Sequence, residues 1–145
     1  MRLRATLLLC LSAPAPIQAA EPNWCGFTEA HPVDAAYARA MEQSGGVTAD
    51  MRDAQGEAFA AWDAELNRLY RRVLRQFGGD LRATALREAQ RAWLAWDVAE
   101  TRSDLAQQAE TGSIGPVIVS GLALQRRRAR ACTLHEMQEP DPAPN

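Results

Sequence analysis

The chain has 145 residues and a formal net charge of −2, which allows one domain with a modest hydrophobic core. The slight excess of acidic residues argues against a nucleic-acid partner, because such a partner selects a basic surface, and it permits a basic protein partner.

Residues 1–20 have the pattern of a secretory signal peptide. A basic start is followed by the apolar run Ala5–Leu11, and Ile17–Ala20 offers a cleavage site with small residues. The apolar run is too short for a permanent membrane span, so we predict a removable signal and a periplasmic or secreted protein. Cleavage removes Arg2 and Arg4 and no acidic residue, which changes the formal charge from −2 to −4.

Two cysteines, Cys25 and Cys132, remain after this segment. In an oxidising export compartment an even pair favours a disulfide bond over two free thiols. A zinc site formed with His31 and His135 is the alternative, but neither cysteine has the close cysteine partner that is usual in such sites. We therefore predict a Cys25–Cys132 disulfide, with no metal and no cofactor.

Glycine and proline divide the first half of the chain. The residues before Pro32 are predicted to be irregular, and Pro32–Gln43 is predicted to form a short helix that ends at the following glycine pair. A second helix is predicted from Thr48, as its N-cap, to Phe77. Apolar residues at spacings of three and four give this helix one buried stripe: Trp62, Leu66, Leu69, Val73 and Phe77.

A third helix is predicted after Gly78-Gly79, capped by Asp80 or Thr84 and continuing to about Ala109. The short link predicts that the second and third helices form an antiparallel hairpin. The predicted buried stripe of the third helix consists of Leu86, Ala89, Trp93 and Trp96.

A fourth helix is predicted from Ser113, as its cap, to about Met137. Strand signals are nearly absent, so the predicted fold is all-α: an antiparallel helical hairpin packed with a third long helix, plus a short N-terminal helix. The predicted organisation is a signal at 1–20, an N-terminal extension at 21–47, a helical domain at 48–137 and a disordered, proline-rich tail at 138–145.

Two motifs on the predicted hairpin combine polar and aromatic residues. They consist of Asp63, Leu66, Asn67 and Tyr70 on the second helix, and of Leu86, Gln90 and Trp93 on the third. Two interpretations are open: a polar contact of Asn67, Tyr70 and Gln90 across the hairpin with Trp93 over it, or a ligand site made of the same groups. We favour the structural interpretation, because buried amides and aromatic hydroxyls need partners for packing alone.

With these two motifs in this order, and an arginine-bearing last helix, the region Thr48–Leu134 resembles the LprI-like family of secreted bacterial lysozyme inhibitors. The resemblance implies an all-α fold and binding of lysozyme or another basic envelope protein, and Arg128 best matches the arginine of the last helix. A structural or stress-related envelope protein without lysozyme activity is the alternative. The sequence does not indicate the oligomeric state.

Other patterns do not predict catalysis. The two histidines lie in an irregular segment and near the chain end, and we interpret Asp97 and Glu100 as solvated acids. The arginines at 126–130 are interpreted as a solvated, partly paired face near a helix C-terminus, with Arg128 pairing with an acid on the second or third helix. We therefore predict a binding protein rather than an enzyme.

Overall fold

The computed structural model describes residues 23–138. Within this range there is no strand, and none of the helices is both long and apolar enough to cross a membrane. The helices are α1 (Pro32–Gln43), α2 (Thr48–Phe77), α3 (Leu81–Gln107) and α4 (Gly115–Glu136), with short 3-10 turns at Trp24–Gly26 and Gly112–Ile114. The all-α prediction is confirmed. The predicted signal peptide and the predicted tail beyond residue 138 lie outside the described residues.

Two helices begin where local side chains can satisfy their first N–H groups. His31 Nδ1 accepts a hydrogen bond from the N–H of Val33 at 3.3 Å, and proline occupies the first position of α1. Asp80 accepts hydrogen bonds from the N–H groups of Arg82 and Ala83, as predicted for the start of α3. Its hydrogen bond to the Arg82 side chain is the main cause that lowers the pKa of Asp80.

The two other predicted caps are wrong. Val47 occupies the N-cap position of α2, and Ile114 occupies that of α4, and neither makes a side-chain capping bond. Thr48 is the first residue of α2 instead, and Ser113 lies in the 3-10 turn that precedes α4. These helices are stabilised by packing, because propensity and caps are weak beside the burial of an apolar face.

The hairpin of α2 and α3 is held together by α4, since each of the two helices makes more contact with α4 than with the other. The short helix α1 packs on α2. The predicted stripe of α2 is confirmed at Trp62, Leu66, Leu69 and Val73, which are at most 1% exposed. The other buried residues of this core are Trp24, Ala58, Leu86, Leu124, Ala131 and Leu134.

Asp34 connects three helices at one end of this core. Its two carboxylate oxygens accept hydrogen bonds from Trp62 Nε1 at 3.1 Å and from Arg128 Nε at 2.8 Å. Arg128 therefore pairs with an acid on α1, and the prediction of a partner on the second or third helix is wrong. The predicted N-terminal extension thus contributes to the packing of the helical domain.

The residues before α1 are fastened to α4. A disulfide bond joins Cys25 to Cys132 across a sequence separation of 107 residues. Beside it, Trp24 is 5% exposed and donates from Nε1 to the carbonyl oxygen of Arg128 at 3.0 Å. Because the disulfide consumes both thiols, the alternative zinc site loses its two sulfur ligands.

The buried stripe of α3 differs from the predicted one. Leu86 is buried and Trp93 is half-buried, but Ala89 is exposed and Trp96 is 48% exposed. The inward positions are Ala83, Leu86, Gln90, Asp97 and Asp104. The prediction was wrong because it extended the stripe from Trp93 to Trp96. The buried face continues instead at Asp97, four residues after Trp93.

Candidate functional site

The motif residues of α2 and α3 surround an open cleft of about 320 Å³. Arg127 of α4 is part of its lining, and the lining residues from the two hairpin helices are Asp63, Leu66, Asn67, Tyr70, Arg87, Gln90, Arg91 and Leu94. Five of the seven predicted motif residues are thus brought together here. Leu86 and Trp93 are absent from the lining and pack in or against the hydrophobic core.

The predicted polar contact across the hairpin is replaced by two separate arrangements. Asn67 Nδ2 donates within its own helix, to the carbonyl oxygen and to the carboxylate of Asp63, at 2.8 and 3.0 Å. Gln90 Oε1 accepts from Arg130 Nε of α4 at 3.0 Å. The amide of α3 therefore reaches α4 rather than α2, in keeping with the packing of both hairpin helices mainly against α4.

Beyond the cleft, Arg126 forms a buried ionic network with the inner face of α3. Its Nε atom lies 2.7 Å from Asp97 Oδ1, its Nη1 atom lies 2.7 Å from Asp104 Oδ2, and Nη2 donates to Thr101 at 2.8 Å. All three charged side chains are well buried, with exposed fractions between 6% and 13%. The interpretation of Asp97 as a solvated acid is therefore wrong.

Arg127 links this network to the cleft. It lies 3.2 Å from Asp97 and 3.4 Å from Asp63, and its guanidinium lies over the rings of Phe59 and Trp93 at about 5 Å. The prediction of partly paired arginines at 126–130 is correct for Arg127, but its side chain is 13% exposed rather than solvated.

The arginines of α4 experience opposite electrostatic environments. Burial opposes the charged form of Arg126, but the hydrogen bonds to Asp97 and Asp104 outweigh it and raise its pKa. Burial lowers the pKa of Arg130, which the nearby Tyr70 only partly opposes. Arg130 Nη2 and Arg127 Nε are also buried without a hydrogen-bond partner. The face of α4 that packs on the hairpin thus carries buried N–H donors that lack an acceptor.

Sequence reasoning missed this network although the sequence contains a signal for it. Gln90, Asp97 and Asp104 follow one another at intervals of seven residues, and on a helix such residues share one face. Acidic residues at that spacing on a face that begins with Ala83 and Leu86 indicate buried carboxylates with partners on another helix.

Trp93 offers a test of how much of the motif supports the fold. We expect Trp93→Ala to lower the free energy of unfolding by about 2–3 kcal/mol, less than the roughly 3–5 kcal/mol typical of a fully buried tryptophan. Trp96→Ala removes an indole that is 48% exposed, and should change stability by no more than about 0.5 kcal/mol. Urea unfolding of both variants is the measurement. Equal losses would contradict this assignment of the two tryptophans.

The described residues present few groups that could hold a metal. Within residues 23–138, the ligand-type side chains that approach one another closely are Cys25, Cys132 and Glu136. The two sulfur atoms of this group are bonded to each other, so it does not form a metal site. The acids of the ionic network, Asp97 and Asp104, are instead paired with arginine side chains.

Comparison with known proteins identifies the family of the chain. A family model described as "Lysozyme inhibitor LprI" matches residues 38–134. The chain belongs to the LprI lysozyme inhibitor family. An uncharacterized protein of Rhizobium meliloti (strain 1021) is 32% identical over 147 residues, which cover 92% of this chain and 91% of the relative. No solved structure matches the chain significantly. The LprI match begins inside α1, ten residues before Thr48, where the resemblance in sequence began.

Proposed function

We propose that this LprI family protein is exported and inhibits a lysozyme by covering part of the enzyme's surface. The family match over residues 38–134 carries this proposal. An intramolecular disulfide, which is typical of oxidising compartments, supports export. Inhibition by surface binding needs no catalytic group, and the buried acids on α3 are paired with arginines rather than presented to a substrate.

The charge of the chain supports attraction to a cationic enzyme. After removal of the predicted signal the formal charge is −4, and three exposed acids, Asp50, Asp53 and Glu57, lie on one edge of α2 at spacings of three and four. Such an edge accelerates association with a basic protein and adds less to the final affinity. We propose that this acidic edge of α2 faces lysozyme in the complex.

The test is lysis of a peptidoglycan suspension by a basic lysozyme, with protein that begins at Glu21. We expect inhibition at low salt that persists in part at physiological salt, where screening shortens to roughly 8 Å. An Asp50→Asn/Asp53→Asn/Glu57→Gln variant should inhibit less, most clearly at low salt, because it removes the steering charge.

An unrelated acidic helical protein of equal charge is the control. If inhibition is no larger than that of the control at either salt, the inhibitor proposal fails. That outcome favours the alternative of a structural or stress-related envelope protein. Inhibition that is unchanged in the triple variant would leave the inhibitor proposal in place and remove the acidic edge from it.

A further inference from the structure

A second, larger cleft lies next to the cleft at the motif residues, and its walls come mainly from α2 and α4. This second cleft has a volume of about 470 Å³ and is lined by Phe59 of α2, Thr101 of α3 and Ala123 of α4, among others. Phe59 lies one turn from Asp63 of the motif cleft, and Ala123 lies one turn from Arg127. We call the two adjacent clefts together the α2–α3 groove, and α4 forms its floor.

The groove is long enough to receive a helix. On α2 its lining extends from Ala49 to Tyr70, which corresponds to about 30 Å at 1.5 Å per residue. Its walls touch each other little, because both α2 and α3 pack mainly on α4. Three long helices that leave such a gap have the shape of a four-helix bundle from which one helix is missing.

An apolar stripe lies along the α3 wall of the groove. Leu94, Val98 and Leu105 are 42%, 49% and 53% exposed, and their spacings of four and seven place them on one side of the helix. Leu94 and Thr101, which lie on that same side, belong to the lining of the groove. Aligned exposed side chains of this kind are typical of a surface that receives an amphipathic helix.

The charge at the rim of the groove selects the kind of helix. Arg52 of α2 and Arg87 and Arg91 of α3 are exposed lining residues, and they make no ion pair within residues 23–138. Two acidic residues, Asp53 and Asp63, also line the groove, and Asp63 lies 3.4 Å from Arg127. A cationic rim on a chain of net negative charge is complementary to an acidic segment.

The floor of the groove provides a further reason for an acidic occupant. Arg127 belongs to the lining, and its Nε atom is buried without a hydrogen-bond partner. At the other cleft, Gln55 is 4% exposed and its Oε1 atom is buried without a partner. Buried polar atoms normally have partners. The Arg127 N–H group fits a carboxylate, whereas the carbonyl oxygen of Gln55, on the α2 wall, fits an N–H or O–H donor of the same helix, so both indicate that a ligand completes the groove.

We propose that the α2–α3 groove binds an acidic amphipathic helix of a partner protein, which completes a four-helix bundle. The apolar side of the partner helix packs on Leu94, Val98 and Leu105, and its carboxylates pair with the arginines of the rim. This interaction differs from lysozyme inhibition in the charge that it needs. A basic enzyme is repelled by the arginines of the rim and attracted by the acidic edge of α2, which meets the groove at Asp53.

The experiment uses two fluorescein-labelled helical peptides of 21 residues that share one leucine stripe and differ in charge. Outside the leucine stripe, the charged positions are the same in both peptides, and they are glutamate in one peptide and lysine in the other. Fluorescence anisotropy should show at least about tenfold tighter binding of the acidic peptide, a ratio that corresponds to 1.4 kcal/mol. Its affinity should fall as salt increases, because exposed charge pairs are screened. Equal binding of the two peptides would overturn the proposal.

Variants locate the binding on the groove. Arg87→Glu/Arg91→Glu should weaken the acidic peptide at least about tenfold, and Val98→Glu should weaken it by placing a charge within the apolar stripe. Arg39→Glu/Arg75→Glu makes the same change of charge at exposed positions outside the lining of the groove, and should leave binding unchanged. Thermal melts confirm that each variant is folded.

Two outcomes would contradict the proposal. One is that the Arg87→Glu/Arg91→Glu variant binds the acidic peptide as tightly as the wild-type protein does. The other is that light scattering shows self-association that this variant abolishes, since a second copy would then occupy the groove. The same variant should keep its inhibition of lysozyme, so a failed lysis assay and a failed peptide assay are distinguishable.

Discussion

Replacing Arg126 with methionine should lower the free energy of unfolding by about 3–5 kcal/mol, because it leaves carboxylates buried without a counter-charge. Asp104 loses its partner at 2.7 Å, and Asp97 keeps Arg127 at 3.2 Å. Methionine retains much of the length of the side chain, so the change tests charge rather than volume. Urea unfolding monitored by circular dichroism gives the difference between the variant and the wild-type protein.

The control for Arg126→Met is the double variant Arg126→Met/Asp104→Asn. It removes both members of the pair. Because neighbouring groups couple, its loss of stability should be smaller than the sum of the losses in Arg126→Met and in Asp104→Asn. A small loss of stability in Arg126→Met would show that the network contributes little.

Loss of the disulfide should lower the free energy of unfolding by about 4–5 kcal/mol, from the entropy that a bond across 107 residues removes from the unfolded chain. The Cys25→Ser/Cys132→Ser variant makes the change without a reductant. Cys25 has φ 54°, a left-handed conformation that costs a residue other than glycine about 1–2 kcal/mol. Without the bond we expect the segment around Trp24 to leave the core.

Intact mass before and after reduction measures the bond directly. Because the chain has four tryptophans, the signal of Trp24 is the difference in fluorescence between the wild-type protein and Trp24→Phe. The matched comparison is Trp24→Phe with the disulfide retained, which separates the loss of indole packing from the loss of the covalent constraint. Two thiols that react with an alkylating reagent in the native protein would contradict the bond. A double serine variant with the stability of the wild-type protein would contradict its expected contribution.

The sequence predicted the helices well because the signals that define them are local. Gly78 has φ 62° and ends α2, and Asp80 caps α3. Both effects act within one or two turns and can be read from neighbouring residues. The caps expected at Thr48 and Ser113 were wrong because a single suitable side chain near a helix start does not fix the first residue when packing shifts it.

The candidate site was predicted in part. The sequence grouped Asn67, Tyr70 and Gln90, and the structure places all three in the lining of one cleft. The partners of Gln90 and Arg128 were missed because they lie 40 and 94 positions away in the chain. Spacing along one helix defines a face, but it does not identify the element that packs on that face.

By itself the sequence determined the all-α class, the approximate extent of four helices and the stripe of α2, and it indicated the cysteine pair. Those properties follow from backbone propensity, helix caps and the 3.6-residue period, which depend on residues close together in the chain. Only the tertiary structure decided that Asp97 rather than Trp96 faces α4, and that a groove remains between α2 and α3. Both depend on the rotation of α3 about its axis and on its packing against α4, which are set by the combined burial of many side chains from distant parts of the chain.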